Sequence, residues 1–218
     1  GIKDIFNTTE FKTRYGSSIK YNLRPGNDAR VVTSIKNNGA LLVGKTTTAE
    51  FGIHNPPKTK NPLDFKRMCG TSSTGSASAV CSRMIPVSIG SQTAGSTSRP
   101  SSYLGLYGFK PSFGTLPRTA MLKTTDTLDS VTILARSVKD LKLMFNSLRV
   151  YGRNYPIVNQ KLKNRKTKKN MRIGILNGPK SHLINKKVIL RFEKIIKKLT
   201  DSRHYVEEFR LPSLLDKA

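Results

Sequence analysis

GTSSTGSASAVCSRMIPVSIGSQTAGSTSRP, residues 70–100, contains two clusters of small residues. The first is Gly70-Thr71-Ser72-Ser73-Thr74-Gly75-Ser76 and the second Thr93-Ala94-Gly95-Ser96. Such clusters permit tight turns and let backbone N–H groups approach a ligand closely. A flexible Ser/Gly linker shares this composition. Against a linker, Ala77, Val80, Cys81 and Met84 recur at helical spacing, and Val87 and Ile89 then alternate as in a short strand. The stretch therefore reads as loop, helix, strand and loop, rich in hydroxyls, and as a candidate active site.

Working outward, residues 1–6 read as a short strand, with Ile2 and Phe6 apolar. Asn27 or Asp28 caps a helix with Val31, Val32 and Ile35 on one face, and Gly39 stops it. Residues 40–43 read as a short buried strand ending at Gly44-Lys45-Thr46. Downstream, residues 107–113 read as a strand running into a turn. Ser137 and Asp140 have capping-box spacing and open a helix through Leu141, Met144, Phe145 and Leu148. Residues 171–176 read as a strand, 186–199 as an amphipathic helix packed through one face, and 205–211 as a last strand. Strands alternating with helices give an α/β class.

The 218 residues suffice for a sizeable core. No apolar run approaches the roughly 18 residues a membrane span needs, no signal peptide is visible, and a cytoplasmic location is expected. Two cysteines, Cys69 and Cys81, make neither a disulfide framework nor a four-ligand zinc site. No metal or cofactor is expected. The formal charge of +26 points to a polyanionic partner or to a lysine-biased composition. Residues 161–172 alone carry seven Lys/Arg and no acid, as a solvated loop does.

Gly39-Ala-Leu-Leu-Val-Gly-Lys-Thr46 matches the phosphate-binding pattern G-x-x-x-x-G-K-T letter for letter. Its context is reversed, because a helix precedes the first glycine and the apolar segment lies between the glycines. Lys45 has a different use. At the end of a buried strand, desolvation lowers an amine's pKa and makes it a base that activates a serine. His54, His182 and His204 lack metal-ligand spacing, and no G-x-S-x-G elbow is present.

At these residues the sequence resembles the amidase signature family. Cys69-Gly-Thr-Ser-Ser-Thr-Gly-Ser-Ala-Ser-Ala-Val-Cys81 and Gly90-Ser-Gln-Thr-Ala-Gly-Ser-Thr-Ser-Arg-Pro100 fall into the frames of its glycine/serine signature. The likeness extends through Ile2-Lys-Asp4, Gly44-Lys-Thr46, Gly105 to Pro111 and Leu128-Asp129 to Arg136-Ser137. Thr71 stands where glycine is usual, Cys69 where proline is common, and Ser78 where alanine is.

The resemblance implies a mixed β-sheet core flanked by helices and a partial domain over 1–218. Within it, 1–150 would be the signature core, 151–170 a basic connector and 171–218 a strand–helix–strand continuation. It further implies a Ser–cis-Ser–Lys triad with Ser96 as nucleophile, Ser72 as bridge and Lys45 as base. The Thr71–Ser72 peptide would be cis, and Thr93, Ala94, Gly95 and Ser96 would form an oxyanion hole.

The leading functional expectation is hydrolysis of a small carboxamide through an acyl-enzyme. The alternative is the glutamine-hydrolysing member of a glutamyl-tRNA(Gln) amidotransferase, releasing ammonia from glutamine beside partner subunits. A third is a non-catalytic basic protein that binds nucleic acid.

Overall fold

The computed structural model describes residues 1–19, 24–53, 55, 57–155, 170–176, 178 and 181–209. It divides into two compact units, Gly1–Lys161 and Leu162–Ala218.

Five strands form the sheet of the first unit: β1 (Ile2–Lys3), β2 (Lys45–Thr46), β3 (Val87–Gln92), β4 (Tyr107–Phe109) and β5 (Ser130–Ala135), in the order β2-β1-β3-β5-β4. β1 runs parallel to both β2 and β3, whereas β5 is antiparallel to both β3 and β4. The sheet is mixed, in an α/β fold. Ile2 is opposite Lys45 on one side and Ile89 on the other, so β1 is a central strand although it is two residues long.

Strand alternation separates the two faces. Ile2, Ile89, Val131 and Ile133 join the main apolar cluster. Val31, Val32 and Ile35 of α1 (Arg30–Asn37) and Leu141 and Leu148 of α4 (Val138–Leu148) belong to the same cluster. The other face carries Lys3, Gly90, Thr132 and Leu134, and is covered by α2 (Thr74–Cys81). A short α3 (Ser98–Tyr103) precedes β4.

Two glycines let α2 lie so close. A Cβ on Gly75 would come within 2.5 Å of the Thr47 backbone nitrogen, and one on Gly90 within 3.0 Å of Ser73 Oγ. One half of the expected capping box forms at α4, where the Asp140 carboxylate meets the Ser137 hydroxyl and not its backbone N–H. Asp140 N–H donates to Ser137 Oγ (3.0 Å), and that hydroxyl donates to Asp140 Oδ2 (2.7 Å).

Three local expectations change. The cap of α1 is Ala29 rather than Asn27 or Asp28, because the Asp28 carboxylate is engaged by Thr9 and Lys36. Residues 40–43 are not a strand. Leu41 is 86% exposed, and pairing begins only at Lys45, where the chain meets β1. Met84 lies beyond the end of α2 and is exposed, not on its packed face.

In the second unit, β6 (Arg172–Leu176) pairs in parallel with β7 (Tyr205–Phe209), connected through α5 (Lys186–Asp201). Asn185 caps α5 by accepting the Lys187 N–H at 2.9 Å. The expected apolar face of α5, including Val188, Ile189, Phe192 and Ile195, is exposed. Two strands are too narrow a platform to cover a helix of 16 residues. Leu211 lies outside the described residues.

Candidate functional site

Parity along β1 sends Ile2 to the apolar cluster and turns Lys3 to the opposite face, beneath α2. Lys3 is fully buried, and its Nζ lies 2.8 Å from Ser72 Oγ and 2.8 Å from Ser91 Oγ. Burial lowers the Lys3 pKa from 10.5 to about 7, and the negative charge of Asp129 opposes that shift. An amine titrating there is free base for much of the time near neutral pH.

Lys45 stands elsewhere. Its Nζ pairs with Asp4 Oδ1 at 2.8 Å and donates to Thr13 Oγ1 at 2.9 Å. Burial lowers the Lys45 pKa, while the hydrogen bond and charge of Asp4 pull it back up. The lysine contact expected of Lys45 is thus made by Lys3. The reason is register: Lys45 is opposite Ile2, and its side chain joins the Asp4 side chain on the flank of the sheet. A lysine in a central strand, flanked by Ile2 and Ile5, was the available sequence signal.

The two serine clusters are tied through their backbones. Ser73 N–H donates to the Ser96 carbonyl at 3.2 Å, and the Ser72 carbonyl accepts the Ala49 N–H at 3.1 Å. The Thr71–Ser72 peptide is cis. Ser73 Oγ donates to the Ser91 carbonyl (3.1 Å), which also accepts from Thr97 Oγ1 (3.2 Å). Gln92 Oε1 accepts the N–H groups of Thr97 and Ser98, both at 2.8 Å, and so holds the start of α3.

Ser96 therefore sits where the two clusters are joined, half-buried. Among the described residues, the N–H groups of Thr93, Ala94, Gly95 and Ser96 make no hydrogen bond. These four consecutive donors adjoin the half-buried Ser96.

Besides Lys3, sequence reasoning missed two polar residues around this centre. Ser91 is the second acceptor for Lys3, and it carries no mark distinguishing it from the other serines. Asp129 is buried and accepts from Thr124 N (2.6 Å), Thr125 N (2.9 Å), Thr124 Oγ1 (3.1 Å) and Thr93 Oγ1. Burial pushes the Asp129 carboxyl up, but these bonds outweigh it and hold the pKa below the usual carboxylate range.

No group of three potential metal ligands occurs among the described residues. The phosphate-loop pattern is not a phosphate loop: Lys45 and Thr46 are strand, where the motif requires a helix. His54 lies outside the described residues. His182 and His204 belong to the second unit, where His204 Nδ1 accepts the Met171 N–H. Cys69 and Cys81 are free thiols. No helix among the described residues is long and apolar enough to cross a membrane.

A mixed α/β core thus buries a lysine amine against two serine hydroxyls. The chain belongs to the amidase family, whose model matches residues 1–217. It is 37% identical to the A subunit of glutamyl-tRNA(Gln) amidotransferase from Thermus thermophilus over 153 residues, 67% of this chain and 32% of that protein. The Chlamydia pneumoniae protein of the same name is 38% identical over 152 residues. The chain spans about a third of the length of these curated relatives.

Among solved structures, the Thermotoga maritima protein of that same name superposes with a TM-score of 0.86 at 28% identity, covering 97% of this chain and 49% of that one. The native peptide amidase of Stenotrophomonas maltophilia gives a TM-score of 0.84 at 25% identity, covering 97% and 47%.

Proposed function

We propose that this chain carries the catalytic centre of a serine amidase that cleaves the C–N bond of a carboxamide. One observation carries the reading: a buried lysine amine, with its pKa near neutrality, lies in hydrogen-bond contact with Ser72. In the proposed reaction Ser96 Oγ attacks the amide carbonyl. Its proton passes to Ser72, and the Ser72 proton passes to the neutral Lys3 amine. The oxyanion is stabilised by the N–H groups of residues 93–96, donors typically worth about 10²–10³ in rate each. The Lys3 ammonium then returns a proton through Ser72 to the leaving amine, and water hydrolyses the acyl-enzyme.

Lys3 takes the role first expected of Lys45. Family membership supports the reading. Incubation with a simple amide and hydroxylamine tests it. Hydroxamate should form with the parent protein and vanish with Ser96→Ala; its persistence in that variant would overturn the assignment.

A second reading is favoured by the names of the curated relatives, which are amidotransferase A subunits. The carboxamide would then be that of glutamine, with ammonia passed on to tRNA-bound glutamate beside partner subunits. The charge of +26 suits proximity to tRNA. Glutamine hydrolysis that requires both partner subunits and charged tRNA would select this reading over a free-standing amidase.

A further inference from the structure

The proposed chemistry leaves one buried charge without a task. Asp129 is 3% exposed and makes no ion pair among the described residues. Hydrogen-bond donors, not a neighbouring cation, keep it ionised. A buried carboxylate satisfied in this way is a fixed negative charge, and such charges are costly to maintain without a use.

We infer that Asp129 is a positioning residue of the catalytic centre: it holds Thr93 at the head of the oxyanion-binding stretch and supplies the negative charge against which Lys3 gains its proton. This inference rests on the serine–lysine reading above. Asp129 immediately precedes β5, and its neighbour Ser130 is paired with Gln92. Gln92 lies between Ser91, which touches the Lys3 amine, and Thr93, which donates to Asp129. One carboxylate is thus linked to both halves of the proposed machinery.

The other charges near this centre are committed. Asp4 is paired with Lys45 on β2. Arg118 binds Asp126 and donates to the Asp129 carbonyl oxygen, and Lys123 also pairs with Asp126. Arg99 on α3 is exposed, with its Nε towards the Gly95 carbonyl. α2, which covers Lys3, carries no charged residue. When Lys3 becomes an ammonium during the reaction, Asp129 is therefore the anion whose field favours it. Because that charge is already in place, it needs no reorganisation at the moment of proton transfer.

The test is the titration of Lys3 itself, read by competitive chemical labelling of its amine across pH, beside kcat. In Asp129→Asn the midpoint should fall by about half a pH unit or more, and kcat should fall about 10–100-fold. Asp129→Glu should bring the midpoint back towards that of the parent. An unchanged Lys3 midpoint in Asp129→Asn would reduce Asp129 to a structural residue and overturn the inference.

If Asp129→Asn does not fold, the Asp129 carboxyl carbon resonance of the parent protein decides. It should show an inflection near pH 7 that Lys3→Met removes, and its absence overturns the inference. Failure of the underlying reading looks different: Lys3 of the parent would titrate as an ordinary lysine, or Lys3→Met would hydrolyse amides at the parent rate.

Discussion

The two faces of the five-stranded sheet are built from the same strands and do opposite things. On one, Ile2, Ile89, Val131 and Ile133 pack against α1 and α4 and exclude water. On the other, one residue further along, Lys3, Gly90 and Thr132 lie beneath α2 among Ser72, Ser73 and Ser91. The second face is as buried as the first, but its polar groups find partners within the protein: Lys3 on two serines, Ser73 on the Ser91 carbonyl, and Thr97 on Thr132 at 2.6 Å. Paired polar groups in a dry interior are strongly coupled and hard to alter singly. The apolar face therefore carries stability, and the polar face holds the groups of the proposed chemistry.

The largest effects expected from this contrast are on the polar face. Ser96→Ala and Lys3→Met should each lower amide hydrolysis by about 10⁴-fold or more while leaving thermal unfolding cooperative. Loss of activity explained wholly by unfolding in both variants would break the comparison. On the apolar face, Ile133→Ala should destabilise the fold by about 2–5 kcal/mol in denaturant titration. The pH dependence of kcat/KM should keep its position in the part of that variant that remains folded.

The third expectation concerns pH. With Lys3 at about 7 in the folded protein and neutral amine required, kcat/KM should fall about tenfold per pH unit below that point and level off above it. Stability follows the same group with a determined sign. The folded pKa lies below the ordinary 10.5, so burial of this amine costs nothing above 10.5, costs more as pH falls, and saturates below about 7. The stability of Lys3→Met relative to the parent should therefore rise between pH 10.5 and 7 and stay flat below. Smallest of all, Lys45→Met should lower kcat about 3–10-fold, by loosening the Asp4 anchor beside Lys3. A loss as deep as that of Lys3→Met would restore Lys45 to the role first expected of it.

Much of this was legible in residues 70–100, because glycine and serine density reports where backbone must come close, and the helix and strand between the clusters follow from ordinary periodicity. The side-chain cap at Ser137 was equally direct, since both partners lie three residues apart. Lys3 was missed for a physical reason. It is one cation in a two-residue strand, and its burial depends on β2, β3 and α2, whose arrival no local pattern announces. Lys45 drew the role instead because Gly44-Lys45-Thr46 has a motif's spelling, whereas Asp4, just past the end of β1, decides its environment. Residues 40–43 read as buried because they are apolar, yet no strand pairs with them there.

The position of β1 between two parallel neighbours has a further consequence. A lysine carries about 2 kcal/mol of rotamer entropy, which ordinarily makes it a loosely aimed base. Lys3 springs from a backbone held on both sides, with its amine docked on two hydroxyls, so that freedom is surrendered when the chain folds and not when substrate arrives. In the proposed reaction the base is thereby aimed during folding, and a bound amide would meet an amine already pointed along the proton's path.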